Sequence, residues 1–120
     1  MNNREIGAYY EAKACEHLAS LGMIIVDKNY RIRSGEIDIV ARDKSVLVFT
    51  EVKYRHSAKA GTALEAIDYG KRKQIIRISL NYMYKNHIPI NSQIRFDCIG
   101  FDGDKISYIR NAFDISGSVN

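Results

Sequence analysis

Apolar residues recur at helical spacing in two stretches of the chain and alternate with polar residues in most of the remainder. In residues 4–21 they fall three or four positions apart, and Gly22 supplies a stop signal, which predicts a first helix. Residues 62–86 predict a second, longer helix, with Pro89 beyond its end. The apolar positions of the first helix are Ile6, Tyr10, Ala14, Leu18 and Leu21.

Short runs rich in β-branched residues predict five strands, three of them between the helices and two after the second helix. Their ranges are 23–33, 35–41, 46–53, 94–101 and 106–110. The order α-β-β-β-α-β-β predicts an α/β protein with a mixed central sheet flanked by helices. With 120 residues the chain suits a single domain, 1–120. The small, polar tail from about residue 114 is predicted to be flexible.

The composition indicates the cellular compartment and the kind of partner more clearly than it indicates the function. Hydrophobic residues make up 46% of the chain, but no segment is long and apolar enough to span a membrane, and no apolar signal core follows the N-terminus. Cys15 and Cys98 have neither metal nor redox spacing, as expected of reduced thiols in a cytoplasmic protein. The net charge of +4 is compatible with a polyanionic partner.

Candidate chemistry lies on the second and third predicted strands. If the chain turns back at residues 44–45, Asp38 lies opposite Glu51 and Glu36 lies opposite Lys53. Because side chains alternate along a strand, all four would share one face of the sheet. Two directly opposed carboxylates repel each other and cost stability. A divalent cation held between the acids is the simplest reason to tolerate this arrangement.

The pattern of one aspartate followed by Glu51-Val52-Lys53 suits phosphodiester hydrolysis, which needs a Lewis acid and an oriented water. Mg²⁺ prefers hard oxygen ligands, and Mn²⁺ can replace it. Asp38, Glu51 and the backbone carbonyl of Val52 are the predicted ligands, and Glu36 is an auxiliary acid. Lys53 would orient the water or stabilise the phosphate. The alternative is an exposed ion pair on a sheet, which the convergence of three acids disfavours.

Glu11 borders the buried stripe of the first predicted helix, near Gly7 and Ala14 and about 20° from Leu18 on the helical wheel. A carboxylate seldom lies there without a partner. Two interpretations remain open at this point: a metal ligand that reaches the acidic cluster, or a boundary glutamate that extends to solvent or pairs with an arginine.

Basic residues near the acids are candidate nucleic-acid contacts, since they could follow a phosphate backbone past the site. These residues are Arg55, His56, Lys59, Lys71, Lys73 and Gln74. For the run on the second helix alone, a solvated face is the better interpretation. Lys71 and Gln74 lie about one turn apart, so one of them could point at the site.

At this point the chain resembles a known family. The relevant segments are 35–38, 49–55, 95–97 and 111–113, together with Gly7, Glu11, Ala14 and residues 29–31. In combination they resemble the YraN family of small bacterial proteins, which is similar to archaeal Holliday-junction resolvases and to the PD-(D/E)xK nuclease superfamily. The resemblance implies a restriction-endonuclease-like fold, with Asp38, Glu51 and Lys53 as the superfamily motif. It also implies that Glu11 corresponds to the glutamate that the resolvase-like branch of the superfamily carries on its first helix.

The resulting hypothesis is a Mg²⁺-dependent DNA endonuclease, junction-resolving or structure-specific, in the cytoplasm. Two symmetric incisions would suit a homodimer. The alternative is a nucleic-acid-binding accessory protein that keeps the fold but has little or no catalysis. A third interpretation is an interaction protein whose acids are paired internally. RNA remains an alternative partner, because no residue is evidently placed to read a 2′-hydroxyl.

Overall fold

The computed structural model describes residues 1–55 and 67–120. Its elements are α1 (Asn3–Ser20), β1 (Ile24–Ile32), β2 (Gly35–Asp43), β3 (Val46–Arg55), α2 (Tyr69–Lys85), β4 (Ile94–Asp102) and β5 (Lys105–Phe113). The strands form one sheet in the order β1-β2-β3-β4-β5. Among the described strands, β3 and β4 are parallel and the other neighbouring pairs are antiparallel. The predicted α/β class and the order α-β-β-β-α-β-β are therefore confirmed, and the topology is that of a restriction-endonuclease-like fold.

Each helix packs on its own face of the sheet and builds a separate apolar core. On the α1 face, Ala14 and Leu18 pack with residues of β2, β3 and β4 such as Ile39 and Val48. On the α2 face, the cluster contains Phe49, Phe96 and the buried apolar residues of the helix. The middle of the sheet is thus covered by an apolar cluster on each face.

The second helix is shorter than the sequence predicted. It begins at Tyr69, because the side chain of Asp68 accepts a hydrogen bond from the backbone N–H of Lys71 at 2.8 Å and so caps the first turn. Ile67 and Asp68 precede the helix, so the prediction that it includes them is wrong. Residues 62–66, where its predicted start falls, lie outside the described residues.

The strands β2 and β3 pair in the register that the tight turn predicted, from Ile39↔Thr50 to Asp43↔Val46. Lys44 completes the turn with φ of +57°. Pairing stops after Ile39, and the two strands separate before Asp38 and Glu51 are reached. This opening between neighbouring strands creates the space in which the candidate site lies.

The turn between β1 and β2 is held by α2. Gly35 adopts φ of +148°, and a Cβ atom there would lie 2.8 Å from Nε2 of Gln74, which donates a hydrogen bond to the carbonyl oxygen of Ser34. Proline, with φ fixed near −65°, cannot adopt this conformation. Glycine therefore suits the backbone that this turn requires.

Residues 114–120 fold back toward β5. Val119 forms an antiparallel bridge with Phe113, and the side-chain amide of Asn120 donates to the carbonyl oxygen of Asn111 at 2.9 Å. These contacts join the end of the chain to the edge strand, while its predicted flexibility and the single-domain organisation stay predictions.

Within the part of the chain that the structure describes, neither helix has the length and apolar character needed to cross a membrane.

Candidate metal centre

Three carboxylates from two different elements meet at the open end of β2. Glu11 projects from α1, and Glu36 and Asp38 project from β2, with one oxygen of each lying within 4.8 Å of the others. Glu11 and Glu36 are partly exposed, whereas only 9% of the surface of Asp38 is exposed. We refer to Glu11, Glu36 and Asp38 as the acidic triad. The helical wheel and the family resemblance together predicted that Glu11 lies near the acids of β2.

Asp38 is held in place by the strand from which it has separated. Its Oδ2 atom accepts a hydrogen bond from the backbone N–H of Val52 at 2.8 Å. The side chain thus replaces the main-chain pairing that would otherwise continue between β2 and β3. The predicted role of the Val52 carbonyl as a metal ligand stays a prediction.

Glu51 is buried beside Asp38 but is not a member of the acidic triad. Only 5% of its surface is exposed, and its Oε2 atom lies 3.3 Å from Nζ of Lys71 on α2. The carboxyl group of Glu51 lies close enough to that of Asp38 to raise the pKa of Asp38. The predicted direct opposition of these two residues within the strand ladder is not observed, because pairing ends one step earlier. Their side chains nevertheless meet.

Burial raises the pKa of Asp38 most, and the neighbouring carboxyl group of Glu51 raises it as well, so that together they bring it to about 9. The N–H of Val52 acts in the opposite direction. Without a cation, the structure therefore favours a proton on this carboxyl group. A divalent cation would displace that proton, as expected when metal binds to a site of crowded acids.

Glu36 does not lie across from Lys53 as the sequence predicted. It is opposite Arg31 on β1, and its Oε2 atom lies 3.0 Å from Nη2 of that arginine. The arginine is 75% exposed, so this ion pair contributes little to stability and can be exchanged for another partner.

Asn29 is a site residue that the chemical reasoning missed. Its φ of +53° interrupts the alternation of β1, and its Nδ2 atom donates a hydrogen bond to Oε1 of Glu11 at 2.8 Å. Asparagine tolerates the left-handed conformation better than most residues. An asparagine within a predicted strand was therefore the one sequence feature that could have indicated this irregularity. Asn29 therefore connects the edge strand to the glutamate of α1.

The predicted basic contacts separate into different environments. Lys71 points into the site, whereas Gln74 bonds to the β1–β2 turn and Lys73 is exposed, with its Nζ 6.0 Å from the ring centroid of Tyr69. Arg55 ends β3 and is partly buried. His56 and Lys59 lie outside the described residues.

A cleft of about 560 Å³ opens beside two members of the triad, Glu11 and Glu36, along the N-terminal half of α1. Its lining residues are Asn3, Arg4, Gly7, Ala8, Glu11, Asn29, Arg31 and Glu36. The small side chains of Gly7 and Ala8 leave room for a ligand beside the acids. Clustered carboxylate oxygens at the end of an open cleft are the donors that Mg²⁺ prefers, so these residues fit a divalent cation.

Asp38→Asn should remove a pH-dependent loss of stability. Because the pKa of Asp38 is about 9 in the folded protein and 3.8 in the unfolded reference, its contribution to the free energy of unfolding is largest below pH 4 and declines toward pH 9. Asparagine keeps an acceptor for Val52 without this decline. In buffer with EDTA at pH 8, we expect the variant to unfold with a free energy on the order of 2 kcal/mol higher than the wild type.

Urea unfolding at pH 5 and pH 8 measures this difference. Glu16→Gln, on an exposed part of α1, is the control that removes a carboxylate charge outside the cluster. A stability difference between Asp38→Asn and wild type that does not grow with pH would contradict the raised pKa.

The sheet order and the acidic triad together define an α/β protein of the restriction-endonuclease-like fold with a candidate metal centre at the opening between β2 and β3. The family model described as "Uncharacterised protein family UPF0102" matches residues 10–101, and the chain belongs to this family. This match confirms the resemblance to the YraN family.

Curated relatives align over nearly their whole length. The chain is 41% identical to a UPF0102 protein of Lachnoclostridium phytofermentans over 118 residues, which cover 98% of this chain and 100% of the relative. It is 42% identical over 115 residues to one from Clostridioides difficile, covering 94% and 100%. A UPF0102 protein of Legionella pneumophila is 41% identical over 113 residues, covering 92% and 96%.

Proposed function

We propose that this protein is a metal-dependent endonuclease that hydrolyses phosphodiester bonds in DNA, at junctions or other branched structures. The observation that carries the proposal is the meeting of Glu11, Glu36 and Asp38 beside the buried Glu51, at the point where β2 and β3 separate. Crowding of four acids is costly to folding, and a bound divalent cation offsets that cost.

Each residue of the site has a distinct role in this proposal. Asp38 and Glu51 would hold Mg²⁺, for which Mn²⁺ can substitute, and Glu11 would assist from α1. When bound, the cation would act as a Lewis acid on the phosphate and would lower the pKa of a bound water. Lys53 lies two residues beyond Glu51 on β3, so its side chain leaves the strand on the same side. Its ammonium group orients the water or stabilises the charge that develops on the phosphate.

The route of the nucleic acid follows from the charges around the acids. Arg4 and Arg31 line the cleft on one side of the triad, and Lys71 approaches from α2 on the other. The net charge of +4 favours a polyanion. For symmetric cleavage of a junction, we propose that two copies act as a homodimer in the cytoplasm.

A second candidate function is a nucleic-acid-binding accessory protein without catalysis. It is favoured by the internal partners of the acids: Arg31 pairs with Glu36, Asn29 with Glu11, and Lys71 with Glu51. Such partners would let the acidic cluster persist with no cation. Cleavage distinguishes the two functions, because an accessory protein that keeps the fold would bind nucleic acid without cutting it.

The test is cleavage of a labelled panel of duplex, single-stranded, flap and four-way-junction DNA, with a matched RNA set, in Mg²⁺, Mn²⁺ or EDTA. We expect the protein to cut one of the branched DNA structures, and to do so only when Mg²⁺ or Mn²⁺ is present. Salt-sensitive binding without cutting would support the accessory function instead. Neither cutting nor binding, together with no Mg²⁺ affinity, would contradict both.

A further inference from the structure

Lys71 occupies the position of a counter-cation inside the proposed metal centre. Its Nζ atom lies 3.3 Å from Oε2 of Glu51, whose side chain is only 5% exposed. The helix N-cap at Asp68 fixes the backbone of Lys71 in the first turn of α2. A flexible ammonium group therefore reaches a buried carboxylate from a rigid position.

The orientation of the Glu51 side chain indicates the role of its contact with Lys71. The oxygen atoms of Glu11, Glu36 and Asp38 lie within 4.8 Å of one another, but Glu51 does not belong to that set. It instead forms an ion pair with Lys71. The acid expected to complete the metal site is thus turned toward a positive charge of the protein itself.

We propose that Lys71 competes with the divalent cation for Glu51, so that metal binding releases the lysine and makes its ammonium group available to a phosphate of the bound nucleic acid. This inference rests on the proposed function and adds a regulatory exchange to it. Before metal binds, Lys71 neutralises a carboxylate that would otherwise be buried without a counter-charge. After exchange, the cation takes that role.

The exchange couples the two ligands of the site. When a phosphate pairs with the ammonium group of Lys71, the carboxylate of Glu51 becomes available to the cation. When the cation binds Glu51, Lys71 becomes available to the phosphate. By thermodynamic linkage, each ligand then increases the affinity for the other by the same factor. The protein would hold its metal weakly alone and more tightly on its substrate.

The matched control is Lys73, two residues further along the same helix. It carries the same charge, is exposed, and lies near the ring of Tyr69 rather than near Glu51. A variant of Lys73 therefore reports the effect of removing one positive charge from α2 without removing the contact with Glu51.

The experiment is calorimetric titration of Mg²⁺ alone into the full chain, without nucleic acid, for wild type, Lys71→Met, Lys71→Arg and Lys73→Met. We expect Lys71→Met to bind Mg²⁺ about tenfold more tightly than wild type, which is the size expected for loss of one close competing charge. Lys71→Arg and Lys73→Met should stay within about twofold of wild type. Circular dichroism checks folding, and Lys71→Gln replaces Lys71→Met if the latter does not fold.

The outcomes separate this inference from the proposed function. If wild type binds Mg²⁺ but Lys71→Met binds it equally or more weakly, the competition is wrong and the metal centre stands. An equal gain in Lys71→Met and Lys73→Met would also overturn the competition, because it would show an effect of net charge alone. If no variant binds Mg²⁺, both the exchange and the metal-dependent function are wrong.

Discussion

Lys53→Met is expected to reduce DNA cleavage about a thousandfold while leaving DNA binding within a few-fold of wild type. A positioned group that moves a proton or stabilises developing charge contributes roughly 10²–10⁴-fold to a rate. Lys53 is partly buried on β3, two residues from Glu51, and methionine keeps most of its apolar packing while it removes the ammonium group. Single-turnover cleavage of the preferred DNA structure measures the rate, and fluorescence anisotropy in EDTA measures the binding.

Lys85→Met is the matched control for this prediction. Lys85 is exposed in the last turn of α2, fourteen residues beyond Lys71, which corresponds to about 21 Å along a helix. The Lys85→Met variant should cleave DNA at the wild-type rate. Cleavage by Lys53→Met at the wild-type rate would refute the assignment of Lys53, whereas loss of binding in that variant would indicate a substrate contact instead.

The parts of the site that depend on local pattern could be predicted from the sequence. A short turn after a β-branched run fixes the register of β2 and β3, which brings Asp38 near Glu51. A helix has a fixed period, so the position of Glu11 beside the buried stripe follows from counting residues. Both inferences need only geometry within one element or across one turn.

The partners of the acids could not be predicted in the same way. Lys71 reaches Glu51 because α2 packs across β3, and nothing in the sequence around either residue encodes that packing. The separation of the strands at Asp38 likewise depends on a side chain replacing the main-chain ladder, so Glu36 pairs with Arg31 rather than with Lys53. Contacts made by tertiary packing are therefore what the structure adds.

A second set of charges on the sheet, around Arg95 and Asp97, is structural. The side chain of Asp97 accepts hydrogen bonds from Nε of Arg95 at 2.9 Å, from the backbone N–H of Asn111 at 2.9 Å, and from the hydroxyl of Tyr108. Nη1 of Arg95 also donates to Asp43 at 2.8 Å. Arg95 and Asp97 are 7% and 1% exposed, so these contacts replace water for both charges.

Arg95→Met is expected to lower the free energy of unfolding by about 3–5 kcal/mol, because it leaves the buried carboxylate of Asp97 without its counter-charge. For a chain of this size, the melting temperature should fall by roughly 10–20 °C. Urea unfolding followed by circular dichroism measures the first quantity, and a thermal scan in EDTA measures the second.

Two further variants decide whether the loss comes from the uncompensated charge. Arg110→Met removes an exposed guanidinium that lies 3.6 Å from Asp43, and it should cost less than about 1 kcal/mol. Adding Asp97→Asn to Arg95→Met neutralises the stranded carboxylate while keeping an acceptor for Asn111, and should restore part of the stability. If the double variant is no more stable than Arg95→Met, the cost lies in lost packing rather than in charge. Mg²⁺ affinity should be unchanged in folded Arg95→Met, because a network that only supports the sheet does not contact the acidic triad.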